Sequence, residues 1–205
     1  MHSRDLTALW LMPTENLHTT VLEVAHSLTE AQIEDLVQTL KSSTAITRAQ
    51  IAEYPITHQS RLLKPMVSFD SSAMALSFAP AAAEPSTERS GGHDDHYTYH
   101  HLRRDIFDMV RKAGIPVASR YIVPSAHITI ARFITQKGFK VAGQLDHSYV
   151  QLLVDRIGDI NKKLERMYWP QPDGTVPEKG EWVVGQDQGL VIRRGRLWYG
   201  GGEDV

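Results

Sequence analysis

Two apolar, β-branched segments of this 205-residue chain carry the same tripeptide, His-x-Thr. His18-Thr19-Thr20 lies inside Asn16-Leu17-His18-Thr19-Thr20-Val21-Leu22-Glu23-Val24. His127-Ile128-Thr129 lies inside Ser125-Ala126-His127-Ile128-Thr129-Ile130-Ala131-Arg132-Phe133. Both segments read as strands, and along a strand residues i and i+2 point to the same face. His18 is therefore expected to project with Thr20, and His127 with Thr129, while Thr19, Val21, Ile128 and Ile130 project to the other side. Side by side, the two strands line one groove with two imidazoles and two hydroxyls. Two histidines can serve as acid and base near neutral pH. Two hydroxyls can donate hydrogen bonds to an anion held between them.

With 10 histidines in the chain, the tripeptide also arises by chance. His96-Tyr97-Thr98 fits it, and His58-Gln59-Ser60 fits if serine is allowed. His96 sits in a polar His/Asp-rich stretch without a strand pattern, and His58 leads into a basic segment. Only His18 and His127 are embedded in apolar runs that end near Pro or Gly signals.

Those two motifs, with Leu9-Trp10-Leu11-Met12-Pro13 leading into the first and Tyr121-Ile122-Val123-Pro124 into the second, resemble the 2H phosphoesterases, the RNA ligase/cyclic nucleotide phosphodiesterase-like group. The likeness spans most of the chain. The two histidines are 109 residues apart, a long spacing that an inserted segment near 79–95 accounts for. The resemblance implies a single domain over residues 1–205. It implies two pseudo-symmetric lobes of antiparallel sheet with flanking helices and a central groove carrying both motifs. Residue by residue, it implies that His18 and His127 are the acid–base pair and that Thr20 and Thr129 bind phosphate. The implied activity is metal-independent hydrolysis of a 2′,3′-cyclic phosphate to a 2′-phosphate, on a nucleotide or an RNA end, with no cofactor. The same groove chemistry serves 2′-5′ RNA ligation, 2′-5′ phosphodiester cleavage or RNA 3′-end trimming, and a groove of this kind can also bind nucleotides without turnover. The two histidines must titrate differently for such catalysis, so a bell-shaped pH profile is expected. Trp10, Tyr121 and Phe133 are the candidates to stack on a base in the groove, with Trp198 and Tyr199 as further aromatics for that role.

Composition fits an ordinary globular chain: 41% apolar, 22% charged. A formal charge of −2 argues against strong non-specific binding to a nucleic-acid backbone and favours small or short substrates. The chain has no cysteine, which excludes disulfides, thiolate metal sites and a cysteine nucleophile. No apolar run resembles a signal peptide or reaches the length needed to span a membrane. A cytoplasmic or nuclear monomer with no obligate protein partner is expected.

The order of elements reads as α+β. Residues 6–12 and 17–24 read as strands. Thr29-Glu30-Ala31-Gln32 is a capping box opening a helix from Ala31 to about Leu40, with Ile33, Leu36, Val37 and Leu40 at helical spacing. Within the mixed stretch 44–56, Ile51-Ala52-Glu53-Tyr54 reads as a short strand. Residues 64–70 and 73–78 alternate as a hairpin around Asp70-Ser71-Ser72. Residues 79–95, rich in Pro, Ala, Ser and Gly, read as a mobile loop. A helix is expected from Tyr97 to Ala113, with Asp94 or Asp95 as N-cap and Gly114 as its stop. Tyr121–Ile134 reads as the second motif strand. Asp146 or Ser148 opens a longer helix with Val150, Leu153, Val154, Ile157, Ile160 and Leu164 on one stripe, ended by Trp169-Pro170. Residues 182–185 and 190–192 read as a hairpin with turn glycines Gly185 and Gly189, and Leu197–Tyr199 as a last strand.

The stretch His93–His101 suggests a metal, since His96 and His100, or Tyr97 and His101, share a helical face. Zinc needs three or four ligands in fixed geometry, and no further ligand has a recognisable spacing, so no metal site is assigned. Arg193, Arg194 and Arg196 read as an exposed turn, and Arg103 and Arg104 as a solvated helical face. Ser125 lies in no Gly-x-Ser-x-Gly frame, so a serine hydrolase is not indicated.

Overall fold

The computed structural model describes residues 9–82, 95–118 and 126–205. The strands are β1 (Leu9–Leu11), β2 (Ser60–Phe69), β3 (Ala73–Pro80), β4 (Ala126–Phe133), β5 (Lys140–Val141), β6 (Gln144–Leu145), β7 (Glu181–Val184), β8 (Arg193–Arg194) and β9 (Glu203–Asp204). The helices are α1 (Glu30–Ser42), α2 (Arg48–Thr57), α3 (Tyr99–Lys112) and α4 (His147–Tyr168). The fold is mixed α+β. Five strands are hydrogen bonded in the order β1-β4-β3-β2-β7, with β1 antiparallel to β4 and β2 antiparallel to β7. Among the described residues no helix is long and apolar enough to cross a membrane.

Within these residues the chain divides into two compact units. The first is drawn from Met1–Thr19, Lys64–Phe78 and His127–Gly180, the second from Thr20–Leu63, Ala79–Ala126 and Glu181–Val205.

In the first unit the β2–β3 hairpin turns at Asp70, whose Oδ1 accepts from the Ser72 and Ala73 amides at 2.7 and 2.8 Å. This is the turn expected from Asp70-Ser71-Ser72. The exposed edge of β2 is sealed by one side chain of α4. Asn161 Nδ2 donates to the Val67 carbonyl at 2.9 Å, and its Oδ1 accepts from the Val67 amide at 2.7 Å, which satisfies two ladder groups that an edge strand leaves open. The Trp169 indole donates to the Pro65 carbonyl at 2.9 Å just beyond the end of α4. Asp146 caps α4, accepting from the Ser148 amide and hydroxyl. Of the apolar stripe expected on α4, Ile157 is buried while Val154 and Ile160 are exposed, so the buried face is narrower than the spacing suggests.

The second unit is built on α3. Tyr99, Leu102, Ile106 and Val110 are all buried, the period of a helix with one face inward. Gly114, at φ +87°, ends it: the Ile115 amide reaches back to the Val110 carbonyl at 3.3 Å, so the expected glycine stop is present. The N-cap is Thr98 rather than Asp94 or Asp95. Its amide donates to His101 Nδ1 at 3.1 Å, so an imidazole fills the position that Glu or Gln takes in an ordinary capping box. α1 opens at the expected box, with Gln32 Oε1 accepting from the Thr29 amide at 2.9 Å.

The segment read as a strand at 51–54 is instead inside α2. A second capping box, Thr47 with Gln50, starts this helix, and its inward residues are Ile51 and Pro55. Glu181–Val184 does not fold back on residues 190–192; it pairs with Ser60–Leu63 of β2. Gly185 and Gly189 are close-approach glycines, since an added Cβ would fall 2.0 Å from the Pro55 carbonyl oxygen and 2.2 Å from that of Ala52. The chain after β7 is thereby laid against α2, where the Leu190 amide donates to Ala52 at 2.7 Å. Leu197–Tyr199 is part of a turn, not a strand. Arg61 on β2 is half-buried between two carboxylates, Asp95 at 2.9 Å and Glu181 at 2.8 Å.

α2 and α3 are joined by one carboxylate. Asp105 accepts from the Tyr54 hydroxyl at 3.0 Å, the Tyr97 hydroxyl at 2.8 Å and the Arg104 guanidinium at 2.8 Å. His58 stacks on Tyr54 with ring centres 3.9 Å apart. Burial alone would raise the Asp105 carboxyl, but the bonds from Arg104, Tyr97 and Tyr54 outweigh it and hold the group below its ordinary range. A carboxylate depressed on folding stabilises fully above its unfolded pKa of about 3.9, and that stabilisation is lost as pH falls through the lower folded value. Asp105→Asn is expected to cost about 1.5–3 kcal/mol at pH 7, the worth of hydrogen bonds to a charged group, and to remove this acid sensitivity. Urea midpoints of both proteins between pH 2 and 7 check it: the gap should narrow toward acid. A constant gap would show that Asp105 acts through packing alone.

Candidate active site

The geometry around the first motif follows from a change of register along β4. Leu9 opposes Phe133 and Leu11 opposes Ala131, and the Met12 amide continues the ladder to the Ile130 carbonyl at 3.0 Å. Thr19 then opposes Ile128 in an isolated antiparallel bridge. Eight residues pass from Leu11 to Thr19 while three pass from Ala131 to Ile128, so five are looped out. The loop is Pro13, a 3₁₀ turn over Thr14–Asn16, and its C-cap Leu17. Proline has no amide to offer the ladder and fixes its own φ, which is why pairing stops there.

The bridge sets the middle residues of the two tripeptides against each other, Thr19 against Ile128. In antiparallel register the next position along from that bridge is His18 on one segment and Thr129 on the other, while the pairing itself is confined to Thr19 and Ile128. His18, His127 and Thr129 all belong to the first unit. His18 is exposed, and His127 and Thr129 are half-buried. The 3₁₀ turn also orients a ring: His18 Nδ1 lies 2.7 Å from the Asn16 carbonyl. A carbonyl only accepts, so Nδ1 carries the hydrogen, and in the neutral ring Nε2 holds the lone pair. This contact was not legible in the tripeptide itself.

Thr19 is on the other face, and its hydroxyl is buried with no hydrogen-bond partner among the described residues. Thr20 is the first residue of the second unit. There its carbonyl accepts from the Tyr99 hydroxyl at 3.1 Å, while Arg103 Nε donates to the Val21 carbonyl at 3.0 Å and the Ala118 amide to Val24 at 2.9 Å. Among the described residues, 17–24, expected as a strand, show a single bridge, at Thr19, and the carbonyls of Thr20, Val21 and Val24 are satisfied from α3 and the chain beyond it. Arg103 is thus a structural donor rather than a solvated face, and Arg104 is paired with Asp105.

The other expected groove residues fare differently. Trp10 is half-buried and opposes Arg132 in the β1–β4 pair. Phe133 packs edge-on against Phe139 at 5.7 Å. Tyr121 lies outside the described residues, as do most of the expected loop 79–95 and the residues leading into the second motif. In the histidine-rich stretch, His101 Nδ1 is occupied in capping α3. Among the described residues no group of three or more His, Asp or Glu is arranged to hold a metal ion; His93 and Asp94 lie outside them.

Chemically, the first unit offers two imidazoles and a hydroxyl on paired segments, with one imidazole fixed through a carbonyl. That set can move protons and hold an anion. Comparison of the chain with protein-family models, with curated proteins and with solved structures gives no match.

Proposed function

We propose that this chain is a metal-independent phosphodiesterase that opens 2′,3′-cyclic phosphates, on nucleotides or RNA ends, to 2′-phosphates. The observation that carries the reading is the bridge of Thr19 to Ile128, which sets the two His-x-Thr tripeptides against each other in antiparallel register. The reading includes the two pseudo-symmetric lobes and central groove that the resemblance implies.

One imidazole, neutral, takes a proton from water as the water oxygen attacks phosphorus. The bond from phosphorus to O3′ breaks in line, and the second imidazole, protonated, gives its proton to O3′. The ester to O2′ remains, so the product is a 2′-phosphate. His18 and His127 are the pair, and neither forms a covalent intermediate. A ring held like that of His18 suits either role, since Nε2 is a base when neutral and an acid when protonated. Thr129, with Thr20 as the resemblance implies, donates to the non-bridging oxygens, where charge grows in the transition state.

Thr129→Ala is expected to lose about 1.5–3 kcal/mol of transition-state binding, roughly 10- to 150-fold in kcat/KM. EDTA is expected to leave the wild-type rate unchanged. Initial rates on a nucleoside 2′,3′-cyclic phosphate test both. A wild-type rate from Thr129→Ala would remove that hydroxyl from the site, and strong inhibition by EDTA would contradict the two-histidine mechanism.

A further inference from the structure

The threonine of the first motif is held by a helix rather than by a strand ladder. Along a strand, successive carbonyls point to opposite edges, and His18 shares a face with Thr20 only while that alternation lasts. Among the described residues it stops at Thr19: Thr20 forms no bridge, and Val21 lies at a bend. Strand pairing therefore does not aim the Thr20 side chain.

Two residues of α3 meet the chain at that bend. The Tyr99 hydroxyl donates to the Thr20 carbonyl at 3.1 Å, and Arg103 Nε donates to the Val21 carbonyl at 3.0 Å. Tyr99 and Arg103 are four apart on α3 and so share one face of it. The guanidinium carbon of Arg103 lies 6.0 Å from the centre of the Tyr99 ring. Two successive carbonyls thus turn toward one helix face, which an extended strand does not allow. The Tyr99 bond fixes the plane of the peptide that follows the Thr20 Cα, and the Arg103 bond fixes the plane after it. Planar peptides leave only φ and ψ free, so fixing these planes restricts the direction of the Thr20 side chain.

Tyr99 is fully buried, among the largest side chains of the chain with no exposure. Its hydroxyl has no water to exchange with, so releasing the Thr20 carbonyl would strand a buried donor. Packing fixes the ring, and the ring fixes the carbonyl.

We propose that Tyr99, supported by Arg103, is a positioning residue for the reaction and acts through Thr20, holding its hydroxyl where the substrate phosphate is bound. The inference rests on the phosphodiesterase reading, which gives Thr20 that role. Tyr99, being buried, does not itself touch substrate, and its contribution is bounded by that of the Thr20 hydroxyl.

The test is a double-mutant cycle on kcat/KM for a nucleoside 2′,3′-cyclic phosphate, with wild type, Tyr99→Phe, Thr20→Ala and the double variant. Tyr99→Phe keeps the ring and removes the hydrogen bond. It is expected to lower kcat/KM about 2- to 10-fold, the equivalent of one neutral hydrogen bond. Thr20→Ala should lose about 10- to 150-fold, and adding Tyr99→Phe to it should cost nothing more. Arg103→Lys is the second probe should Tyr99→Phe fail to fold, with the same non-additivity expected. Ile106→Val, buried on the same helix, is the control: it should lower Tm and leave kcat/KM unchanged. The dissociation constant of a nucleoside 2′-phosphate, by isothermal titration calorimetry, runs the same cycle without turnover. With an active wild type, an undiminished rate from Tyr99→Phe would overturn the positioning role alone. So would no loss from Thr20→Ala, a full further loss on adding Tyr99→Phe to it, or an equal loss from Ile106→Val. A wild type that neither turns over nor binds these nucleotides would overturn the phosphodiesterase reading, and the inference with it.

Discussion

Alanine at His18 or at His127 is expected to lower hydrolysis of a 2′,3′-cyclic phosphate by about 10²–10⁴-fold, the usual contribution of one positioned acid or base. Both substitutions should leave the fold intact, because neither side chain is part of the buried core. The two losses should not add. A two-step proton relay fails when either member is missing, so the double variant is expected to be scarcely slower than the worse single one. Single-turnover rates for the three variants, beside far-ultraviolet circular dichroism, check this. Near wild-type turnover by either single variant would contradict the two-histidine mechanism whatever the other does.

Gly185→Ala is expected to be the most damaging single change to stability. At φ +90° the backbone there is in the left-handed region, which costs any residue with a Cβ. The added carbon would also fall 2.0 Å from the Pro55 carbonyl oxygen, far inside contact distance, and that oxygen belongs to a buried residue of α2. Neither side yields easily, since β7 is fixed by its pairing with β2. Strain and overpacking together amount to about 2–5 kcal/mol. For a chain of this size that is a fall of about 5–15 °C in Tm by differential scanning calorimetry. Gly158→Ala, on α4 where a Cβ meets nothing within 4 Å, is the control and should be neutral or slightly stabilising. Equal Tm values for the two variants would show that α2 shifts freely away from Gly185.

Local signals were legible in the sequence, and long-range ones were not. The capping box at Thr29, the Asp70 turn, the Gly114 stop and the Asp146 cap all act within a few residues of themselves, and each is present in the fold. The box at Thr47 has the same chemistry, but α2 behind it has no continuous apolar stripe, with Ile51 and Pro55 its buried positions, and its proline argues locally against a helix. The cap of α3 was hidden because histidine stands at the third position. Residues 17–24 have strand composition, yet Tyr99, Arg103 and Ala118, far along the chain, take the carbonyls that a ladder would have used. Nothing local to β7 or β8 names β2 or β9 as the partner.

The candidate site divides the same way. The tripeptides and their strand-like flanks are visible in one dimension, and the second does lie on a strand. Their mutual register is not visible, because it depends on how many residues the Pro13 and Thr14–Asn16 excursion loops out. The fixing of the His18 ring by the Asn16 carbonyl depends on that excursion too.

The most direct test of the central claim is hydrolysis of the four nucleoside 2′,3′-cyclic monophosphates in EDTA, wild type beside His127→Ala, with the product isomer identified by phosphorus NMR. Wild type is expected to release the 2′-phosphate, and the variant to do so about 10²–10⁴-fold more slowly. Release of the 3′-phosphate, equal rates from both proteins, or tight binding of these nucleotides with no turnover of them or of cyclic-phosphate RNA ends would contradict it.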